Sequence, residues 1–351
     1  MMGSQNYRNV RALTTKRGFS MSNETAPRGY VDLHAHLDGA ITVGIARRLA
    51  ELQDIELPTS DDASLERLLS VPPECESLND FLCCFELPIS LLQTPEGLAA
   101  SVRLVLENMA SQGVAYAELR FAPQLLGERG MSQDAAVLAA EEGLRGAPVP
   151  ANLILCCMRG EGNDAENDET VRVAREHLVE TGGVVALDLA GAEALYPTER
   201  YQGLFARVRE LGIPYTLHAG EAAGPESVRC ALEMGARRIG HGVRAMENPA
   251  LVDLIAARGV TLEMCPTSNR QTHAIPDMAA YPLVEFLERG VRVTVNTDDM
   301  GVERTTLPEE FAYLRREFGL TVEQERRIAE NAIAAAFTTE DVRSCLRERL
   351  L

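Results

Sequence analysis

Tryptophan is absent from this 351-residue chain, and lysine is reduced to one residue, Lys16. Every other basic side chain is arginine. The body of the chain therefore offers no Schiff-base lysine, no phosphate-loop lysine and no lysine to carboxylate as a bridge between two metals. Aromatic residues make up only 5% of the sequence, so a core must be built mostly from Leu, Val, Ala and Ile. No G-x-G-x-x-G fingerprint follows an early strand, which argues against a nucleotide-binding open sheet. The eight cysteines, Cys75, Cys83, Cys84, Cys156, Cys157, Cys230, Cys265 and Cys345, contain no C-x-x-C pair. They read as reduced, mostly buried thiols of a cytoplasmic protein, not as zinc ligands. No run of about 18 apolar residues exists, so no transmembrane helix is expected. Positive charge is scarce as well. The formal net charge of −18 repels nucleic acid and anionic membranes and suits a small neutral or cationic substrate.

What is present is a large apolar fraction, 46% of residues. That suffices for two ordinary domains or for one α/β barrel of about 250 residues with insertions. Residues 1–28 are polar, carry Arg8, Arg11, Lys16 and Arg17, and have no acid before Glu24. They are expected to be a disordered extension, with Met21 as a candidate start and 29–351 as the folded unit.

The stretch His34-Ala35-His36, which closes the apolar run and expected first strand Tyr30-Val31-Asp32-Leu33, organises the rest. Side chains alternate along a strand, so His34 and His36 share a face about 7 Å apart, a bite suited to one metal ion. Gly39 is expected to end that strand. From 41 to 112 the pattern is helical, with an amphipathic segment at Ile45 to Leu52 and a helix opened by Thr94-Pro95 and closed by Gly113. Within it Leu78, Phe81, Leu82 and Phe85 fall at i, i+3, i+4, i+7, which is either core packing or an apolar lid. Thereafter short β-prone runs alternate with helices: Val114–Leu119, Asn152–Cys157, Val184–Leu189, Pro214–Leu217, Arg238–Gly240, Val260–Met264 and Val291–Asn296. With the first strand these make eight β-then-α units. The predicted fold is a (β/α)8 TIM barrel with a helical insertion after strand 1.

Polar residues gather just beyond the predicted strands. They include His34, His36 and Asp38, then Asp188 to Gly191, His218 to Glu221, Gly240-His241-Gly242, Cys265 to Ser268, and Asn296 to Asp299. Four of the six histidines fall at these ends, on one rim of a barrel. His34, His36, His218 and Asp298 make a set for one divalent metal such as zinc, with a position left for water. Zinc lowers the pKa of bound water to about 7. Glu221 lies near a ligand without being able to share the metal from the same strand, so it can exchange protons with a substrate. His241 can accept a proton from the water or stabilise hydroxide. His177 is expected on a helix surface and His273 in the loop after strand 7.

These blocks resemble the adenosine deaminases, of the amidohydrolase superfamily of metal-dependent barrels. The resemblance covers nearly all of 30–345. It rests on HAHLDGAI from His34, ELRFAP from Glu118, ILCCMR from Ile154, DLAG from Asp188, HAGE from His218, IGHG from Ile239 and NTDD from Asn296. It implies one zinc ion per chain, held by His34, His36, His218 and Asp298. Glu221 would protonate the purine ring nitrogen beside the attacked carbon, and His241 would orient the water. Asp299 would bond the imidazole-side nitrogen, the Gly191 N–H the remaining pyrimidine nitrogen, and Asp38 the ribose 5′-hydroxyl. Leu78, Phe81, Leu82 and Phe85 would form a lid. The implied reaction is hydrolysis of adenosine or 2′-deoxyadenosine to the inosine product and ammonia.

Two departures touch the pocket's edge. Ala192 stands where the family often has a second acid, and Cys265-Pro266-Thr267-Ser268-Asn269 differs from animal sequences. Adenine or a 5′-modified adenosine on the same scaffold is the main alternative substrate. A metal-dependent amide or phosphoester hydrolase and a silent binding protein are further alternatives. Asp38 favours adenosine, because a carboxylate accepts a bond from a 5′-hydroxyl and repels a 5′-phosphate.

Overall fold

The structure is a computed structural model that describes residues 25–72, 75, 81 and 83–351. Eight parallel strands surround a common interior: β1 (Tyr30–His36), β2 (Val114–Phe121), β3 (Ala151–Met158), β4 (Val184–Ala190), β5 (Thr216–Ala219), β6 (Arg238–His241), β7 (Thr261–Met264) and β8 (Arg292–Val295). They pair in chain order as two four-stranded halves, β1 to β4 and β5 to β8. Single bridges join the halves, Leu187 with Tyr215 at one seam and Ala35 with Asp298 at the other. All eight predicted strands are found, and helices follow them as the βα alternation requires. The (β/α)8 architecture is thus present, with its ring thinned to one bridge at each seam.

The helices begin and end where the sequence chemistry directs. Thr94 accepts a bond from the Gly97 N–H before the helix Pro95–Ser111. Ser132 and Asn248 cap two more helices in the same way. The left-handed φ of Gly235, Gly259 and Gly319 ends three helices, a conformation that costs glycine little. Thr321 and Gln324 form the predicted capping box of Val322–Ala335. Between β1 and the helix Pro95–Ser111 lie the helices Val43–Gln53, Asp62–Leu69 and Glu86–Ser90, so the insertion after strand 1 is helical. Leu78 and Leu82 of the predicted stripe, and residues 1–24 of the predicted extension, lie outside the described residues. No helix among the described residues is long and apolar enough to cross a membrane.

The barrel interior is an ion network. Arg120 on β2 donates to Asp188 on β4 (2.7 Å), Glu263 on β7 (2.8 Å) and the Leu33 carbonyl (2.6 Å). Arg238 on β6 meets Glu118 on β2 at 2.6 Å. The bonds to the three carboxylates span strands that are not neighbours, so these side chains point inward. Phe337 closes the amino end, its N–H donating to Glu118 and the Arg238 guanidinium lying 4.0 Å from its ring centroid. The alternate strand positions, such as Leu119, Leu153, Leu187, Ile239 and Leu262, are fully buried among the helices. Buried ions are costly unless paired and hydrogen-bonded, and here the pairing also sets side-chain direction at the carboxyl end.

Candidate active site

The two β1 histidines lie within the strand, which runs three residues past Leu33, the end of the expected strand. The cause is the seam. The His36 N–H donates to the Asp298 carbonyl and the Asp298 N–H to the His34 carbonyl, both at 2.8 Å. Asp298 is thereby fixed between the two histidines, at a left-handed φ of 59°. For a residue with a side chain this is strained backbone, of the sort found at functional sites. Gly39 comes after the strand has ended. It leaves room for Asp299, because a Cβ at 39 would lie 1.7 Å from Asp299 Oδ1.

Four ligand atoms converge at the carboxyl end. His34 Nε2 is 3.0 Å from His218 Nε2 and 3.1 Å from Asp298 Oδ1. His36 Nε2 is 3.2 Å from His218 Nε2 and 3.3 Å from Asp298 Oδ1. The outer nitrogens of two rings are already committed: His34 Nδ1 faces Glu263 at 2.8 Å and His218 Nδ1 faces Asp188 at 2.9 Å. A carboxylate accepts, so each Nδ1 carries the proton and each Nε2 presents a lone pair. Two lone pairs facing each other at 3.0 Å repel unless a cation lies among them. Imidazoles backed by carboxylates are the usual outer support of metal ligands. The residues therefore fit a divalent metal of the zinc type.

Glu221 and His241 stand beside this cluster, with Glu221 Oε2 3.5 Å from His241 Nε2. Burial, with the charges of Asp298 and Glu193 added, pushes the Glu221 carboxyl up to about 8. Burial likewise holds the His241 imidazole well below its ordinary value, so the ring is neutral at neutral pH. His241 sits at φ 59° between Gly240 and Gly242. A Cβ at Gly240 would be 2.9 Å from His34 Cε1, so that glycine admits the close packing of the rings. The Tyr281 hydroxyl donates to Asn269 Oδ1 (3.0 Å), which turns the Asn269 amide NH2 toward His241 Nδ1 (3.1 Å). Nδ1 is then the acceptor, and Nε2–H is the face shown to Glu221 and Asp298.

A cavity of about 240 Å³ opens onto these groups, lined by His36, Asp38, Phe81, Phe85, Gly191, His218, Glu221, His241, Asp298 and Asp299, among others. The structure brings together every described residue singled out from the sequence. His34 stands fully buried behind the rest. Burial, then the Asp298 charge, holds the Asp299 carboxyl well above the ordinary range, and burial raises Asp38 to about 6. Phe81 and Phe85 pack on each other, centroids 5.8 Å apart, in an apolar cluster with Val71 and Val302 at the cavity wall.

Sequence reasoning gave no role to Glu263, Arg120, Asn269, Tyr281 or Glu193, and noted Asp188 only by position. A lone carboxylate within the apolar runs VVALDLA and TLEM was the available signal for Asp188 and Glu263. His177 is less exposed than a helix-surface position implies. It is held between Asp134 (3.2 Å) and Glu141 (3.3 Å) of the neighbouring helix, away from the site. Cys156, Cys157, Cys230 and Cys265 are buried thiols, and Cys345 is exposed.

The adenosine deaminase family model matches residues 29–351. The chain belongs to the adenosine deaminase family. An adenosine deaminase of Haemophilus ducreyi is 44% identical over 327 residues, covering 92% of this chain and 95% of the relative. One of Enterococcus faecalis is 38% identical over 324 residues, covering 91% and 95%. Among solved structures, the adenine deaminase of Arthrobacter aurescens superposes with a TM-score of 0.83 at 28% identity, covering 92% of this chain and 98% of that one. As a member of the adenosine deaminase family the protein is a hydrolytic deaminase.

Proposed function

We propose that this chain hydrolyses adenosine and 2′-deoxyadenosine to the corresponding inosine and ammonia, with one zinc ion per chain held by His34, His36, His218 and Asp298. The observation that carries the reading is the convergence of four ligand atoms beside a buried carboxyl that keeps its proton at neutral pH. When bound, zinc supplies a Lewis-acid centre that makes water nucleophilic near neutral pH.

The chain's own residues account for the remainder. Carbon 6 of the purine resists addition until the ring's aromaticity is weakened. Glu221, protonated, donates to the adjacent ring nitrogen N1 and makes that carbon electrophilic. Oxygen from water adds to C6, and the water's proton passes to Glu221, which is a carboxylate once N1 is protonated, and from there to the leaving amine. The C6–amine bond then breaks, and the amine leaves with a proton as ammonia. The atoms balance as nucleoside plus water to inosine plus ammonia. His241, with its Nε2–H turned inward, donates to the incoming oxygen, so of its two possible roles the tautomer favours stabilisation over proton acceptance. Asp299 and Gly191 line the cavity, which supports the reading that the Asp299 carboxyl and the Gly191 N–H hold the other ring nitrogens. Groups fixed in advance around the tetrahedral state stabilise it more than the flat substrate. Phe81 and Phe85 form an apolar wall that sheds water when the ring enters, and Leu78 and Leu82 belong to the same stripe in the sequence.

Asp38 supports a nucleoside over a nucleotide, because a carboxylate lining the cavity repels a 5′-phosphate. The structural likeness to an adenine deaminase keeps free adenine as the second reading. A substrate panel on zinc-loaded protein separates the two, with ammonia release compared for adenosine, 2′-deoxyadenosine, adenine, 5′-methylthioadenosine and AMP. Adenosine is expected to be fastest and AMP poor. Preference for adenine would overturn the role given to Asp38, and silence on every purine would overturn the deamination itself.

A further inference from the structure

The loop that carries Glu221 is held by a single buried carboxylate. Glu193 comes from the segment after β4 and is 2% exposed. Its Oε1 accepts from the Gly220 N–H at 2.7 Å and from the Ser227 hydroxyl. Its Oε2 accepts from the N–H groups of Glu221 (3.1 Å), Ala222 (2.8 Å) and Ala223 (2.9 Å). One carboxylate thus collects four consecutive backbone donors and a hydroxyl. Hydrogen bonds to an ionised acceptor are roughly twice as strong as neutral ones.

The loop's carbonyls are held from the other side. Arg159 donates to the His218 carbonyl at 2.6 Å and, through the same nitrogen, to the Thr198 hydroxyl, which bonds Ser227. The Gly242 N–H meets the Ala219 carbonyl and the Arg244 N–H the Gly220 carbonyl, both at 3.0 Å. These bonds end on the backbone of 218–223, or on Thr198 and Ser227, of which Ser227 bonds Glu193 directly and Thr198 bonds Ser227. Gly220, at φ 75° with Val228 Cγ2 only 2.2 Å from where a Cβ would be, makes the bend that the carboxylate grips.

From this geometry we infer that Glu193 is a positioning residue for the reaction: it fixes the backbone of 220–223 so that the Glu221 carboxyl meets the purine ring nitrogen in one orientation. The inference rests on the deaminase reading for its kinetic consequence, but the clamp itself can be read without substrate. Glutamine at 193 keeps the shape and loses the function. Its NH2 must face at least one of the five donors, whichever way the amide turns.

The experiment compares wild type with Glu193→Gln at matched zinc content, by adenosine kinetics and by hydrogen exchange of peptides spanning 218–226. The expected result is a kcat lower by roughly 100-fold, as for a misplacement of about 1 Å, with KM changed less than about threefold. Exchange at 220–223 should be at least about tenfold faster. A purely structural role would lower the yield of folded protein while leaving kcat per folded, zinc-loaded chain intact. That result, or unchanged exchange, overturns the inference. If Glu193→Gln does not fold, Ser227→Ala removes one of the five donors and leaves the carboxylate. A kcat loss of about two- to fivefold at constant KM supports the clamp, and no loss overturns it. Wild-type protein that releases no ammonia from adenosine, yet loses protection in Glu193→Gln, overturns the deaminase reading while the clamp stands.

Discussion

Glu221 joins two effects that are opposed in most surface carboxylates. It is acidic in name, yet burial and neighbouring charge raise it from its ordinary 4.5 to about 8. Between those values the folded chain holds a proton that the unfolded chain has released. Stability therefore falls as pH rises through that window, because the native state binds more protons than the unfolded one. Activity has the same sign: the donor form is lost above about pH 8, so kcat/KM should fall on the alkaline side. Glu221→Gln should lose roughly 10²- to 10⁴-fold in kcat. A pH–rate profile with no alkaline limb near 8 would remove the acid role. Around this residue the residue-scale pattern repeats: a group with chemistry is set by a group without it. Asn269 sets the tautomer of His241, Glu263 and Asp188 set those of His34 and His218, and Glu193 sets the backbone of Glu221.

At the scale of elements, the ends of strands and helices do the placing. Gly39 accepts the N–H groups of Gly301 and Val302 through its carbonyl while its missing side chain makes space for Asp299. Gly39→Ala should push Asp299 from the cavity wall and lower kcat/KM by about 100-fold or more, with the metal content unchanged. Ammonia assays alongside metal analysis would check this, and full activity in a folded variant would show that Asp299 does not contact the ring. A helix end remote from the site should behave differently. Thr321 caps Val322–Ala335 through a capping box, and Thr321→Ala should cost about 1 kcal/mol of stability at unaltered kcat. Denaturant titration reads the first quantity and the ammonia assay the second. A change in kcat would mean that this helix communicates with the cavity.

For the whole molecule, the metal and the barrel seam are one problem. Asp298 belongs to the candidate ligand set and, among the described residues, carries the bridge that joins β1 to the segment after β8. Without an ion the lone pairs of His34 on β1 and His218 on β5 face each other at 3.0 Å, next to that seam. Chelation should abolish activity and lower the melting temperature, and zinc should restore both. Zinc at a thousand times its Kd stabilises by about 4 kcal/mol. Elemental analysis should find one metal per chain. Two per chain would contradict the ligand set, and an unchanged melting temperature would mean that the seam holds without the ion. The net charge of −18 acts at this scale too, favouring a neutral nucleoside over a phosphorylated one before any contact is made.

The sequence determined a good deal by itself. Eight apolar runs separated by capped helices demanded parallel strands buried on both faces, and the strand-end positions of His34, His36, His218 and Asp298 demanded one rim. Those features are local: period, caps and spacing lie within a few residues of each other, and a linear reading can see them. Glu193, Asn269, Tyr281 and Glu263 were not legible, because each acts on a residue between 12 and 229 positions away. A glutamate 27 to 30 residues before the loop it grips carries no periodic mark, and an Asn within the short helix Pro266–Gln271 does not announce which imidazole nitrogen it faces. The candidate ligand set His34, His36, His218 and Asp298 was legible in the chain. Their protonation, tautomer and aim were decided only when the barrel closed, since those depend on burial and on partners that folding alone brings within hydrogen-bond distance.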